Sequence, residues 1–174
     1  MDTKLEAPQR PNGWRTALIG RHPKRTLVRI VILVGICLAM RAFVLVPIRV
    51  EGISMLPTYK DGSIHLINRL AYKLRAPQRG DVVAIRLIAG EHVMYLKRIV
   101  GLPGETVAFH DGQLYINGQP MAEPYVKLQG HWESDIGQLG PDQYFVVGDN
   151  RDTWFRGHEK GRPTRDYFVG TVLL

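Results

Sequence analysis

The run LVRIVILVGICLAMRAFVLVPI, residues 27–48, constrains this chain more than any other stretch. From Leu27 to Val46 it is dominated by apolar residues, and a helix of that length spans about 30 Å, the thickness of a bilayer's hydrocarbon core. Arg29 lies near one end, and Arg41 is roughly 7–8 Å of helix from the other, so both side chains reach the headgroup layers. Pro47 marks the expected exit. Residues 1–26 carry a net charge of +4. The positive-inside rule places that segment in the cytoplasm and everything beyond the run on the far side. No A-x-A pattern follows the apolar core, which ends Ala39-Met40-Arg41-Ala42. The expectation is an uncleaved signal anchor, not a leader that is removed. Three segments follow: a basic cytoplasmic segment (1–26), a transmembrane anchor (27–47) and an extracytoplasmic domain (48–174), all in a single-pass protein of the cytoplasmic membrane.

The 174 residues carry a net charge of +7, but residues 49–174 contribute only +1 of it. Basicity is a property of the N-terminus, which argues against a nucleic-acid-binding face on the body of the protein. Cys37 is the single cysteine, so no intrachain disulfide forms, and it reads as a small filler within the apolar run. The six histidines show no metal-binding spacing. There is no phosphate-binding glycine loop and no dinucleotide fingerprint either. No metal and no cofactor are expected.

Beyond residue 49 short alternating runs replace the long apolar one. Strands are expected at 63–67, 81–87, 93–100, 106–110, 113–117, 143–147 and 166–173. Asp111-Gly112 separates two alternating runs by two residues, the pattern of a tight hairpin. Asn117-Gly118 marks another turn. Only LINRLAYKL (66–74) has helix-like spacing, and residues 128–142 read as a surface loop. The fold class is mainly β: an antiparallel sheet domain, sandwich or partly open barrel, behind one N-terminal transmembrane helix.

Three stretches of the domain carry possible chemistry. In VEGISMLPTYKDG (50–62), Ser54 stands among Ile53, Met55, Leu56 and Pro57. It follows Pro47 by seven residues, which reach at most about 23–25 Å. An apolar patch so near the bilayer suits a membrane-held substrate, although the serine taken alone also fits a linker. In HVMYLKRIVGLPGE (92–105), strand alternation puts Lys97 and Arg98 on opposite faces, both otherwise apolar. Burial disfavours the ammonium, which is what a lysine general base requires. Arginine cannot lose its proton at useful pH, so Arg98 reads as structural, paired with a carboxylate. A snorkelling surface lysine fits the same strand. In VVGDNRD (146–152) a β run ends in turn-forming residues whose Asp149, Arg151 and Asp152 can brace a neighbouring site.

Together these stretches resemble the type I signal peptidases, membrane-bound serine proteases with a Ser/Lys dyad. The resemblance rests on Gly52-Ile53-Ser54-Met55-Leu56-Pro57-Thr58, on RGDVV (79–83), on Lys97-Arg98-Ile99-Val100-Gly101-Leu102-Pro103-Gly104-Glu105 and on Gly148-Asp149-Asn150-Arg151-Asp152. It implies that Ser54 is the nucleophile, Lys97 the general base and the Ser54 backbone N–H an oxyanion-hole donor. Gly52, Met55, Pro57, Arg98, Gly148, Asp149, Asn150, Arg151 and Asp152 are the implied supporting residues. The implied substrates are signal-peptide-bearing preproteins with small residues at the first and third positions before the cut, and the implied surroundings are membrane lipid. After Asp152 the sequence departs from the family: Trp154 stands in place of a lysine-positioning serine and Arg156 in place of an aspartate. That departure leaves two alternatives, a specialised relative maturing one pilin or conjugation substrate and a catalytically silent, membrane-anchored binding module.

Overall fold

Apolar alternation and glycine turns make hairpins wherever the chain can return on itself at low cost, and the computed structural model is built largely of them. It describes residues 23–86, 94–152 and 160–173. The chain divides into two units, residues 1–42 and 43–174. In the first, helix α1 (Pro23–Phe43) covers most of the long apolar run. Leu27, Ile30, Val31, Leu33, Ile36 and Leu38 are all exposed on it, and it also bears Lys24, Arg25, Arg29 and Arg41. Among the described residues, no helix is long and apolar enough to cross a membrane.

The second unit is a pair of antiparallel sheets. The larger has seven strands in the order β1-β2-β11-β3-β4-β9-β10. These are β1 (Leu45–Arg49), β2 (Ile64–Asn68), β11 (Phe168–Leu173), β3 (Val82–Arg86), β4 (Met94–Gly101), β9 (Phe145–Val147) and β10 (Lys160–Gly161). The smaller has the order β7-β6-β5-β8, with β7 (Gln119–Met121), β6 (Gln113–Ile116), β5 (Thr106–His110) and β8 (Ser134–Gln138). Both expected turns form. Asp111 and Gly112 take φ of 47° and 75°, and Asn117 and Gly118 take 51° and 74°. These left-handed pairs match the twist of the strands they join.

Three expectations are corrected. The helix-like stretch 66–74 is split: its first residues finish β2, and only Ala71–Leu74 form a short helix, α2. The expected surface loop 128–142 contains β8, which pairs with β5, and it buries Trp132 and Leu139. The expected span end at Pro47 falls inside β1, which begins two residues after α1 ends. Proline has no N–H for a ladder, and β1 is an edge strand with one side unpaired, where proline is tolerated.

Burial follows the sheet order. Val82, Val83, Ala84 and Ile85 are all buried, so β3 is covered on both faces. Three apolar clusters meet along β4: Leu96 packs with Met55 and Ile67, Ile99 with Val83 and Val146, and Val100 with Val107 and Phe109. β11 threads between β2 and β3 with a register shift between Phe168 and Gly170. There the backbones approach so closely that a Cβ on Gly170 would lie 2.3 Å from the Asn68 carbonyl oxygen. Gly170→Ala therefore lowers stability by about 1–3 kcal/mol, seen as a lower urea midpoint at unchanged m-value.

Asp81 ties α2 to the start of β3. It accepts bonds from Arg75 at 2.7 and 2.8 Å, from the Gln78 N–H at 3.0 Å and from the Tyr72 hydroxyl at 3.2 Å. Burial alone would raise its pKa, but the Arg75 fork and the Gln78 N–H outweigh it and hold the carboxyl below its ordinary value. A depressed folded pKa contributes stability above the unfolded carboxylate range, and that contribution is lost as pH falls through the folded value. Acid unfolding of Asp81→Asn will accordingly show a shallower loss of stability below about pH 4 than the parent chain.

Candidate active site

β4 carries the two basic residues to the middle of the molecule. Lys97 is 3% and Arg98 9% exposed, and β3 pairs with both, placing Val83 opposite Lys97 and Val82 opposite Arg98. Across the strand from each other, the two side chains meet different surroundings.

Lys97 meets the serine loop. Its Nζ lies 2.7 Å from Ser54 Oγ as hydrogen-bond donor and 5.4 Å from the centre of the Tyr95 ring. The loop carrying Ser54 is closed at its base, where Val50 N–H donates to Ser63 O and Gly62 N–H to Val50 O, both at 2.8 Å. Gly52 has φ of 89°, a conformation glycine adopts without strain, and its N–H donates to Asp61 Oδ1 at 2.9 Å. Met55, 1% exposed, plugs the loop into the core, and the peptide bond before Pro57 is cis. Ile53 remains exposed beside the serine.

Arg98 meets Asp149. Its Nε and Nη2 donate to the two carboxylate oxygens at 2.8 and 2.6 Å, and its Nη1 donates to Gly80 O at 2.7 Å. The guanidinium stacks 4.0 Å from the Tyr125 ring centre. Burial opposes its charge, but the Asp149 carboxylate prevails and raises Arg98 further above its ordinary pKa. The pair is paired, stacked and fully desolvated on the Asp149 side.

The turn after β9 reaches back to the serine loop. Thr58 Oγ1 donates to Asp149 Oδ2 at 2.5 Å, Asn150 N–H donates to Ser54 O at 3.0 Å, and Asn150 Nδ2 donates to Ile53 O at 3.2 Å. Arg151, 1% exposed, donates to Glu123 Oε1 at 2.7 Å and through Nε to Gly148 O at 2.7 Å, with its guanidinium 5.5 and 5.3 Å from the ring centres of Phe109 and Trp132. Asp152 is exposed; it makes no ion pair among the described residues, and its N–H caps Asn150 Oδ1 at 3.1 Å. A cavity of about 650 Å3 opens between residues 47–52 and 94–97, with Ser54 and Lys97 on its wall.

The structure thus brings the serine loop, Lys97, Arg98 and the 148–151 turn into one bonded assembly, and leaves Asp152 at its edge. Trp154 and Arg156 lie outside the described residues. Sequence reasoning missed Thr58, Asp61, Glu123 and Tyr125. Thr58 and Asp61 fall within or beside the serine motif and were open to notice there. The Tyr125 hydroxyl donates to Glu123 Oε1 at 2.8 Å, but the arginines these two residues meet, Arg151 and Arg98, lie 25 or more residues away in the chain and leave no local signal.

Comparisons with known proteins place the chain in a family. The family model described as signal peptidase, peptidase S26, matches residues 24–174. Signal peptidase I V of Bacillus subtilis is 31% identical over 156 residues, covering 82% of this chain and 92% of its own length. Signal peptidase I T of the same organism is 40% identical over 155 residues, covering 82% and 79%. A solved signal peptidase I from Enterococcus faecalis superposes over 57% of this chain and 98% of its own, at 28% identity and a TM-score of 0.46. The chain belongs to the signal peptidase family, peptidase S26, a family of serine proteases.

The Arg98–Asp149 pair gives a direct test of the assembly. Asp149→Ala leaves a buried guanidinium without its carboxylate and costs about 3–5 kcal/mol. Arg98→Met/Asp149→Leu, which removes both charges, costs markedly less in the same denaturant titration.

Proposed function

We propose that this chain removes N-terminal signal peptides from exported preproteins as a membrane-anchored serine endopeptidase, with Ser54 as nucleophile and Lys97 as general base. The observation that carries the reading is the 2.7 Å contact between Lys97 Nζ and Ser54 Oγ, made by a lysine that is 3% exposed. Loss of hydration disfavours the ammonium form and favours the neutral amine, which can accept the serine proton.

In the first half of the reaction Ser54 Oγ attacks the scissile carbonyl carbon while Lys97 takes the hydroxyl proton. The tetrahedral oxyanion collapses, the C–N bond breaks, and the Lys97 ammonium returns that proton to the leaving amine of the mature protein. An ester between Ser54 and the signal peptide remains. Water then attacks the ester carbonyl, with Lys97 again as base, and releases the signal peptide with a free carboxylate. The Ser54 backbone N–H is the proposed oxyanion donor. No cofactor or metal enters these steps. Gly52 and Met55 fix the serine loop, Pro57 shapes its exit, and Arg98, Gly148, Asp149, Asn150 and Arg151 hold the loop and β4 in register, with Asp152 ending the turn.

The proposed organisation keeps residues 1–26 cytoplasmic and the β domain extracytoplasmic, with the apolar run from Leu27 up to the start of β1 as a single anchor. The exposed apolar side chains of α1, bracketed by Arg29 and Arg41, and the +4 charge ahead of them support it. Membrane lipid and preproteins are the proposed partners. Cleavage of a preprotein by the purified full chain tests the dyad. Ser54→Ala and Lys97→Met will each lower kcat/KM by about 10³-fold or more. Lys97→Arg will fare no better, because guanidinium keeps its proton. Full activity in any of the three sinks the reading.

A further inference from the structure

A second cavity, of about 500 Å3, lies apart from Ser54 and Lys97. Arg69, Lys73, Arg86 and Arg165 line it, against a single carboxylate among the described residues, Asp166. Arg69 follows β2, Lys73 is on α2, Arg86 ends β3, and Arg165 is in the 3-10 turn that leads into β11. These are different elements, yet antiparallel pairing brings them to one end of the sheet. Thr171 lies opposite Asn68, and Phe168 lies opposite Ile85.

Like charges gathered on one wall repel each other and raise the potential within the cavity. The side chains of Arg69, Lys73 and Arg86 make no ion pair or hydrogen bond among the described residues, while Arg165 donates to the Tyr72 carbonyl. Three of its four cations are therefore unspent donors among the described residues. Its size is that of a small-molecule site, and guanidinium groups match the oxygens of a phosphate in a two-pronged fork. Phe168 supplies an apolar wall beside them.

The place of the cavity in the chain points to the source of such a phosphate. The Arg69 N–H donates to Val44 O at 2.9 Å, and Val44 directly follows the last residue of α1. Leu45, at the start of β1, lies opposite Asn68. The basic end of the sheet is thus the end at which the chain enters it from α1.

We propose that this pocket binds the phosphate group of an anionic lipid headgroup, at the point where the domain leaves its anchor. The lipid as source rests on α1 being a membrane anchor, as put forward above; the phosphate chemistry does not. The test uses the full chain in zwitterionic micelles, titrated with short-chain phosphatidylglycerol, short-chain phosphatidylcholine or inorganic phosphate, and follows the thermal midpoint. Phosphatidylglycerol will raise the midpoint saturably, and phosphatidylcholine will not. Arg69→Gln/Lys73→Gln will weaken the half-saturation point by about 25-fold, fivefold for each basic residue removed. Lys60→Gln/Lys127→Gln, which removes the same charge elsewhere, will leave it unchanged. An equal response of both double variants, or no saturable rise with either phosphate compound, overturns the pocket. A response to inorganic phosphate equal to that for phosphatidylglycerol keeps the anion site and overturns the lipid as its source. Alkaline carbonate extraction of membranes reports on the anchor separately. A chain released by carbonate would defeat the anchor reading while the inorganic phosphate titration still decides the pocket.

Discussion

The buried pair of Arg98 and Asp149 is the interaction on which the region around Ser54 and Lys97 depends. Two charges removed from water are a liability unless every donor and acceptor is engaged. Here the carboxylate takes a two-pronged guanidinium and the Thr58 hydroxyl, and the remaining guanidinium donor finds Gly80 O. Four stretches of chain are fastened by one pair: the approach to β3, β4 itself, the turn after β9 and the serine loop. Small shifts in any of them would leave a charge uncompensated, so the geometry is held within narrow limits.

That rigidity serves the residue next door. Lys97 and Arg98 are neighbours on one strand with opposite tasks. Arginine keeps its proton, so it is suited to a fixed electrostatic joint. Lysine can lose its proton when buried, so it is suited to the proposed proton transfer. Strand alternation separates them without any further device. Asn150 completes the arrangement by holding the backbone carbonyls of Ile53 and Ser54, which ties the serine loop to the joint.

Much of the fold was legible because hairpins are local. Asp111-Gly112 and Asn117-Gly118 sit where left-handed φ is needed, and the strands around them carry period-2 burial. The errors were of another kind. Residues 66–74 had helical spacing, but β2 paired with β1 and β11 took the first of them. Residues 128–142 were polar enough to read as a loop, but β5 had a free edge and β8 filled it. Val44–Ile48 read as the tail of an apolar run, but Leu45–Arg49 pair with β2 along their whole length. In each case a partner strand distant in sequence decided the outcome.

The sequence by itself determined the presence of a long apolar segment, the β character of the remainder and the motifs that hold Ser54, Lys97 and the 148–152 turn. Those properties reside in composition, periodicity and short spacing. Only the tertiary structure decided that Lys97 Nζ reaches Ser54 Oγ, that Asp149 is the carboxylate of Arg98, that Glu123 pairs with Arg151 and that the Tyr125 ring stacks on Arg98. It also decided that Arg69, Lys73, Arg86 and Arg165 share one cavity. The reason is the same throughout: sheet pairing joins residues tens of positions apart, and sequence spacing carries no record of which strand will lie beside which.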